Sequence, residues 1–346
     1  MITVAGAGLA GLVASARLRE LGIRAVVVEK GDRPGGSMLL SSGVVWRYRA
    51  WDEFRRQCSR GEERLQRLVW EGLDDALDWL RALGAHSARY EANPLTSGRR
   101  FDTRALTDVL VRAAGEVRLG EAMPDDCGTP VILATGGFQA DAGLVAEHIR
   151  PAAPLALRSN RWSAGDGLRY GLARGASLTD GMDEFYGRNM PDREWGEQDF
   201  VPLAQLYGRR AHVVNERGAA FVSDPVTWSE TDLVQATARQ PGARAWYLVD
   251  EETLPAVREL VERSGTALPA GDLPFDVPEG IVVGVRVRAA ITHTIGGLRV
   301  DERARAAEGV WAAGADVGGV STGGYASGLA QALVLGLVAA ESALAE

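Results

Sequence analysis

The sequence predicts a two-domain α/β protein, in which a Rossmann-like domain is interrupted by an inserted α+β domain. Three observations lead to this prediction. A strand–turn–helix–strand unit opens the chain, apolar strands return after residue 280, and the stretch between them is rich in prolines, tryptophans and short mixed segments. We therefore expect residues 1–138 and 275–346 to form one domain and residues 139–274 to form the other.

The first unit is defined by its apolar strands. Ile2 to Ala5 form a short strand, which is followed by the glycine loop 6–11 and a helix that ends before Gly22. Residues 23–29 form a second apolar strand that ends in an acid. Continuously apolar strands are typical of parallel sheets that are buried on both faces.

Helices and one more strand complete the first half of the chain. A helical pattern covers 51–83, with its apolar residues on one face, and a second amphipathic helix covers 103–114. Val131 to Ala134 form a strand that ends in Thr135-Gly136-Gly137. This alternation is typical of a parallel sheet covered by helices.

The inserted stretch has a different pattern. Residues 210–215 and 245–249 are predicted to be strands of a separate sheet, and a helix is expected after Asp250. The strands 281–287 and 309–314, followed by a terminal helix, would complete the first domain.

Composition and charge exclude several classes of function. The chain has 346 residues, 46% of them hydrophobic, which is enough for a sizeable core. It carries 38 basic and 46 acidic residues, a net charge of −8, and this argues against a nucleic-acid partner. Its two cysteines and four histidines lack metal-site spacing, so we expect neither a metal site nor a disulfide framework.

The apolar segments do not indicate a membrane protein. The first residues are predicted to be a strand and not a signal peptide, since no charged region precedes them. The late apolar run 329–345 is broken by Gln331, Gly336 and Glu341, which favours a buried helix. We expect a cytoplasmic protein with no membrane partner.

The glycine loop has the spacing of a dinucleotide-binding turn. Gly6 would permit the tight turn, Gly8 would let the backbone approach a pyrophosphate, and Gly11 would allow close helix–strand packing. The phosphates would lie at the helix N-terminus, where free N–H groups favour an anion. Glu29 ends the second strand at the spacing suited to a ribose diol.

A second glycine-rich loop follows Glu29. The segments Gly35-Gly36-Ser37 and Ser41-Ser42-Gly43 are compatible with a loop that surrounds the part of a long cofactor not bound by the first glycine loop and Glu29. They are equally compatible with a flexible surface loop, and composition alone does not separate the two interpretations.

Together, motifs along nearly the whole chain resemble the flavoprotein family of fumarate reductases, succinate dehydrogenases and 3-ketosteroid dehydrogenases. The motifs are GAGLAG at 6–11 with Glu29-Lys30, 35–37 with 42–43, VILATGGF at 131–138, GDG at 165–167, ITHTIGGL at 291–298, GVWAAGADVGG at 309–319 and GYASGL at 324–329. The resemblance implies FAD, held extended by the first domain, with the inserted domain capping the flavin.

The resemblance also implies which residues bind FAD. Asp316 would hydrogen-bond the ribityl chain, and the start of the last helix would point its amides at the N1/O2 edge of the flavin, where a helix N-terminus stabilises negative charge. The complete set of expected cofactor-binding residues is Gly6, Gly8, Ala10, Gly11, Glu29, Lys30, Gly36, Ser37, Ser42, Gly43, Thr135, Gly136, Asp166, Gly314, Asp316, Gly328, Leu329 and Ala330.

Two departures from the family pattern bear on the substrate. The arginine proton donor of the fumarate reducers, which follows the stretch matching 221–224 here, falls on Trp228. The arginine that clamps a carboxylate falls on Tyr325. A site that has neither arginine lacks the groups that bind a dicarboxylate, so fumarate and succinate are disfavoured as substrates.

Four residues are candidates for the chemistry. The motif around Tyr325 resembles the tail of the ketosteroid 4-ene dehydrogenases, in which a tyrosine polarises a carbonyl, and an uncharged phenol suits a neutral ketone. His293 lies where the family places a histidine that faces substrate and flavin. Tyr207 lies near where the family's proton-relay arginine would fall, and Tyr90 resembles an active-site tyrosine of the ketosteroid dehydrogenases. Either is a candidate acid/base, and each is equally compatible with plain packing.

The expected function is FAD-dependent dehydrogenation of a CH–CH bond next to a carbonyl, in a mainly apolar, small-molecule ketone. An external electron acceptor or donor of unknown identity would complete the cycle. Two alternatives stay open at this point: an ene-reductase of the same substrate class, and an FAD-binding protein that has lost catalysis.

Overall fold

A computed structural model describes residues 1–128, 130–222 and 226–344 of the chain. The chain divides into two compact units. The first unit contains Met1–Asp141, Asn160–Glu184 and His293–Glu346, and the second contains Ala142–Ser159 and Phe185–Thr292.

The strands and helices are numbered in chain order. The strands are β1 (Ile2–Ala5), β2 (Ala25–Glu29), β3 (Val44–Tyr48), β4 (Ser87–Tyr90), β5 (Thr96–Phe101), β6 (Glu116–Leu119), β7 (Val131–Leu133), β8 (Ala156–Leu157), β9 (Phe185–Pro191), β10 (His212–Val214), β11 (Arg244–Asp250), β12 (Ala267–Pro269), β13 (Ile281–Thr294), β14 (Arg305–Ala307) and β15 (Val310–Ala312). The helices are α1 (Leu9–Glu20), α2 (Trp51–Gln57), α3 (Glu63–Ala82), α4 (Thr103–Ala114), α5 (Ala142–Leu144), α6 (Asp166–Ala173), α7 (Thr231–Ala238), α8 (Leu254–Ser264) and α9 (Gly328–Ser342).

The first unit is built on a six-stranded sheet in the order β14-β15-β7-β1-β2-β6. All neighbouring strands are parallel except β14, which is antiparallel to β15. Strands β1, β2 and β7 are almost wholly buried, as the continuous apolar runs predict. The mixed α/β fold with a Rossmann-like first domain is therefore confirmed.

Helices α1 and α9 pack against each other, and α1 also packs on α4. Most of α9 is buried, as expected for a helix that is apolar on almost every side. Ala345, at the end of the predicted apolar run, lies outside the described residues. In the described part of the chain, no helix is both long and apolar enough to cross a membrane.

The helix predicted over 51–83 is two helices, α2 and α3. The break is caused by tertiary contacts that the helical pattern does not reveal. The amide of Arg60 donates to the Thr322 carbonyl at 3.2 Å, and the amide of Glu62 donates to the Gly319 carbonyl at 2.7 Å. These amides are therefore bonded to a distant loop and not to the preceding helical turn.

The second unit contains a separate sheet in the order β10-β11-β13-β12, and β8 and β9 also pair with β13. The β10, β11 and β12 pairings are antiparallel, and β8 is parallel to β13. The predicted strands 210–215 and 245–249 correspond to β10 and β11, and α8 is the helix expected after Asp250. A buried cluster that includes Tyr247, Val257 and Val285 forms the core.

The observed units differ from the predicted domain boundaries, 1–138 with 275–346 and 139–274, in three places, the first being residues 139–141, which belong to the first unit. Residues 160–184 belong to the first unit, because Thr179 N–H donates to the Gly297 carbonyl at 2.9 Å. Residues 275–292 belong to the second unit, because most of β13 pairs with β11 and β12.

Candidate active site

The glycine loop between β1 and α1 has two crowded positions and one open position. A Cβ on Gly6, whose φ is +105°, would lie 2.2 Å from the Ala134 carbonyl oxygen, and a Cβ on Gly11 would lie 1.9 Å from that of Gly6. At Gly8, by contrast, a Cβ would meet no atom of the described residues within 4 Å, apart from Gly8 itself and its neighbours in the chain. This space at the start of α1 fits a pyrophosphate, which needs close backbone approach at a helix N-terminus.

Glu29 is fixed at the end of β2, next to this loop. Its buried carboxylate accepts hydrogen bonds from the Ala7 N–H at 2.7 Å and the Gly31 N–H at 2.6 Å. Trp162 packs on Gly31, where a Cβ would lie 2.7 Å from the indole. A carboxylate has about four acceptor positions, so Glu29 can still accept from a ribose diol.

The second glycine-rich loop folds onto the first. Gly35 N–H donates to the Ala7 carbonyl at 2.7 Å, and a Cβ on Gly36 would lie 3.0 Å from the Cα of Gly8. Ser37 directly follows Gly36 in the chain and is half-buried, whereas Ser42 is exposed to solvent. The loop is therefore packed at the phosphate end of the candidate site, at least as far as Ser37.

Asp316 organises another turn of the candidate cofactor site. Its carboxylate is buried and accepts from the Thr135 N–H at 2.5 Å, the Gly137 N–H at 2.9 Å and the Thr135 hydroxyl at 3.0 Å. Burial raises the pKa of this carboxyl, and the backbone donors oppose that shift. In the structure, Asp316 therefore stabilises the turn at residues 135–137. Its contact with the ribityl chain stays a prediction.

Other residues expected to bind FAD also lie in the first unit. Lys30 Nζ forms an ion pair with Asp166 at 2.5 Å. A Cβ on Gly314, whose φ is +67°, would lie 3.1 Å from the Cβ of Ala10. The two ends of the expected binding set, which come from distant parts of the chain, are therefore brought together.

The start of α9 has a defined cap. The Ser327 hydroxyl accepts a hydrogen bond from Ala330 N–H at 3.2 Å. Gln331 donates to the carbonyls of Gly314 at 2.9 Å and Val317 at 2.8 Å. The first turn of α9, which begins with Gly328 and Leu329, is thus held against the segment that carries Asp316, and its amides form the positive end of the helix.

Tyr325 lies two residues before this cap, and its main chain is tightly held. The Tyr48 hydroxyl donates to the Tyr325 carbonyl oxygen at 2.7 Å, and the backbone of Tyr325 hydrogen-bonds the Cys58 sulfur. The ring of Tyr325 lies 5.4 Å from that of Trp46, between centroids. Burial raises the pKa of Tyr48 and raises that of Cys58 to about 12, so both stay neutral and act as hydrogen-bonding groups.

His293 lies against the first residue of α9. A Cβ on Gly328 would lie 3.3 Å from the Cε1 atom of the imidazole. Desolvation lowers the pKa of His293 to about 4, so the ring is neutral at physiological pH. The structure therefore brings His293 and Tyr325 to the same end of α9.

The other two candidate residues are not part of this pair. Tyr90 is the last residue of β4 and pairs with Gly98 of β5. On the opposite edge of β5, Gly98 pairs with Trp46 of β3. The guanidinium of Arg100 lies 4.5 Å from the centre of the Tyr90 ring. Tyr207 belongs to the second unit, where the guanidinium of Arg188 lies 4.4 Å from its ring. Acid/base roles for Tyr90 and Tyr207 stay predictions.

Trp228, which is predicted from the sequence to occupy the position of the family's donor arginine, also belongs to the second unit. Ser223 and Asp224, in the stretch that precedes it, lie outside the described residues. Tyr48 and Cys58 are the residues that sequence reasoning did not connect with Tyr325. No motif marks either one, and only the packing of the 58–62 segment on the 319–325 loop brings Cys58 there.

Comparison with known proteins supports this flavin-binding architecture. The profile of a family described as an FAD binding domain matches residues 127–329, more than half of the chain. A profile described as an NAD(P)-binding Rossmann-like domain matches residues 4–43, which include the glycine loop, Glu29 and the second glycine-rich loop.

Three known proteins illustrate the likeness. The probable fumarate reductase Ifc3 of Shewanella frigidimarina is 22% identical over 99% of this chain and 74% of its own length. The 3-ketosteroid Δ4-(5α)-dehydrogenase of Rhodococcus jostii RHA1 superposes with a TM-score of 0.71 at 20% identity, covering 99% of this chain and 96% of that one. The 3-ketosteroid Δ1-dehydrogenase of Sterolibacterium denitrificans superposes with a TM-score of 0.75 at 15% identity, covering 100% and 99%.

At these identities the superpositions establish the fold, and the family profile establishes membership. The predicted resemblance and the predicted cofactor are both confirmed. The chain belongs to the FAD-binding-domain flavoproteins, the family of the fumarate reductases and succinate dehydrogenases, and its cofactor is FAD.

Proposed function

We propose that the protein is an FAD-dependent oxidoreductase that acts on a CH–CH bond next to a carbonyl, in a mainly apolar ketone. The observation that carries the proposal is that Tyr325 and His293, whose side chains can hydrogen-bond without carrying a charge, both lie near the start of α9, the positive end of a largely buried helix. Two of the similar solved structures are ketosteroid dehydrogenases, which is consistent with this substrate class.

The chain offers a specific set of groups to FAD. The open space at Gly8 and the N-terminus of α1 suit the pyrophosphate, and Glu29 suits the adenosine ribose. The start of α9 suits the flavin edge on which negative charge accumulates. When bound, FAD supplies the hydride chemistry of the reaction.

In this proposal Tyr325 polarises the substrate. Removing a proton next to a carbonyl places negative charge on the carbonyl oxygen, and a phenol can donate a hydrogen bond to that oxygen. The bond strengthens as the charge develops, so it favours the transition state over the bound ketone. Because hydrogen bonds with Tyr48 and Cys58 hold the main chain of Tyr325, the point from which its side chain extends is fixed before the reaction.

His293 contributes without adding a charge. A neutral imidazole has one N–H donor and one nitrogen acceptor, and the low pKa of His293 keeps it in this form. It can therefore orient a neutral substrate at the start of α9. Tyr207 and Tyr90, the two candidates that the sequence offers for the acid/base, are each equally compatible with packing, and we propose that one of them has this role.

The proposal also excludes dicarboxylate chemistry. Where fumarate reducers carry a donor arginine and a clamping arginine, this chain carries Trp228 and Tyr325. An indole has only an N–H donor, and a phenol cannot make the paired charged hydrogen bonds of a guanidinium. The substrate is therefore expected to be neutral at the reacting end.

Anaerobic turnover tests this function directly. The purified flavoprotein is photoreduced and mixed with a panel of apolar cyclic enones; in a second arm, the oxidised protein is mixed with the saturated ketones and an electron-accepting dye. We expect the flavin absorbance to return in the first arm or the dye to be bleached in the second. A protein that binds FAD but turns over nothing in either arm would instead be a binding protein.

A further inference from the structure

A buried carboxylate holds the turn that precedes Tyr325. The side chain of Glu184 is only 5% exposed, and its Oε2 accepts a hydrogen bond from the Gly323 N–H at 2.7 Å. Its Oε1 accepts from Arg60 Nη2 at 2.6 Å. Both oxygens are therefore engaged, one by the turn and one by a cation.

The turn itself has little freedom to shift. Gly324 N–H donates to the Ser321 carbonyl at 2.9 Å, and a Cβ on Gly324 would lie 1.7 Å from the Gln57 carbonyl oxygen. Gly323 has a φ of +87°, so it adopts a conformation that side chains disfavour. Any displacement of this turn moves the next residue, Tyr325.

Glu184 is also fixed through its main chain. Its N–H donates to the Gly181 carbonyl at 3.0 Å, and its carbonyl accepts from Ile295 N–H at 3.1 Å. The carboxylate thus links a rigid segment to the turn through a charge-assisted hydrogen bond, which is stronger than a neutral one. Arg60 supplies the opposite charge that a buried carboxylate requires.

We propose that Glu184 is a positioning residue: by binding the Gly323 amide and the Arg60 guanidinium, its carboxylate fixes the 321–324 turn and so aims the Tyr325 hydroxyl at the substrate carbonyl. This inference rests on the proposed function, in which that hydroxyl acts in the transition state. A group that orients a catalytic side chain affects the rate through that side chain.

The first test is Glu184→Gln. The amide has the same size and can still accept from Gly323 N–H, but it no longer pairs with the charge of Arg60. We expect kcat to fall about tenfold, with KM and FAD content little changed. Glu341→Gln is the matched control, since it makes the same change in an ion pair with Arg17 at the other end of α9, and it should leave kcat unchanged.

The second test combines Glu184→Gln with Tyr325→Phe. If Glu184 acts through the Tyr325 hydroxyl, the change should lower kcat in the wild-type background and have no further effect once the hydroxyl is gone. Equal losses in both backgrounds, or no loss in either, would overturn the positioning role alone. Wild-type turnover by Tyr325→Phe itself would overturn the proposed role of Tyr325, and this proposal with it.

Hydrogen exchange measured by mass spectrometry provides a readout that does not depend on turnover. In the FAD-bound protein, Glu184→Gln should speed amide exchange in the segment 320–326, and Glu341→Gln should not. Unchanged exchange in this segment of the Glu184 variant would contradict the proposal.

Discussion

The Tyr48 hydroxyl donates a 2.7 Å hydrogen bond to the main-chain carbonyl of Tyr325, although the two residues are 277 positions apart in the chain. The bond joins strand β3 to the segment before α9. Since the phenol of Tyr48 is buried and neutral, it stabilises one conformation of that segment. The main chain of Tyr325 is therefore held in part by a second tyrosine.

Tyr48→Phe should lower kcat for the ketone or enone substrate while FAD stays bound. The change removes the Tyr48 donor to the Tyr325 carbonyl, a hydrogen bond with a net contribution of about 0.5–1.5 kcal/mol. Tyr170→Phe is the matched control, because it removes another largely buried phenol of the same unit, one that accepts from Cys127 N–H. Steady-state kinetics of both variants checks the prediction, and equal kcat values would contradict it.

Gly8→Val should abolish FAD retention without unfolding the protein. Gly8 has an extended backbone, with φ −73° and ψ −176°, that any residue adopts, so the added side chain only fills the space expected for the pyrophosphate. Gly271→Val is the control, since a Cβ at Gly271 also meets only open space among the described residues. FAD absorbance after gel filtration and the circular dichroism of both variants provide the measurement. A Gly8→Val protein that keeps an equimolar amount of FAD would show that the phosphates lie elsewhere.

Fumarate should not be a useful substrate. The proposed assignment of Trp228 and Tyr325 to the two arginine positions implies that a dicarboxylate would be neither clamped nor protonated there. The measurement is fumarate reduction with reduced viologen under anaerobic conditions. A rate of roughly 1 s⁻¹ or more, which is typical of enzymes, would contradict the assignment of these positions.

Stability should decrease in mild acid because of His293. Its pKa is about 4 in the folded protein against 6.5 for a solvent-exposed histidine, so between these values the unfolded chain binds a proton that the folded protein does not. The stability associated with the neutral ring is present above pH 6.5 and is lost as the pH falls toward 4. Linkage gives a loss of up to about 2 kcal/mol between pH values of about 8 and about 5.

Urea unfolding at these two pH values, followed for the wild type and for His293→Gln, measures this effect. The variant should lose less stability in acid than the wild type. An identical pH dependence in the two proteins would show that His293 titrates normally.

Sequence patterns predict the first unit well because its signals are local. Strands β1 and β2 and the positions of Gly6, Gly8, Gly11 and Glu29 follow from periodicity and from the steric needs of a tight turn. The domain boundaries are harder to predict. Strand β13 runs through the boundary between the two units, so its apolar pattern alone does not show that most of it pairs with β11.

The support around Tyr325 is the part that the sequence does not reveal. Tyr325 and His293 stand in motifs, whereas Tyr48, Cys58 and Glu184 stand in none. Their contacts cross long stretches of chain, and those of Cys58 and of Glu184 with Arg60 involve the break between α2 and α3, where tertiary hydrogen bonds replace helical ones. A helical pattern over 51–83 conceals that break.

The kinetics of Tyr325→Phe tests the central claim most directly. The change removes one hydroxyl and almost no volume, so FAD content and fold should be retained. If the hydroxyl stabilises charge that develops on the substrate carbonyl, kcat should fall by about 10²–10³, with little change in apparent substrate affinity. A Tyr325→Phe enzyme that turns over at the wild-type rate would contradict the account and would remove Tyr325 from the mechanism.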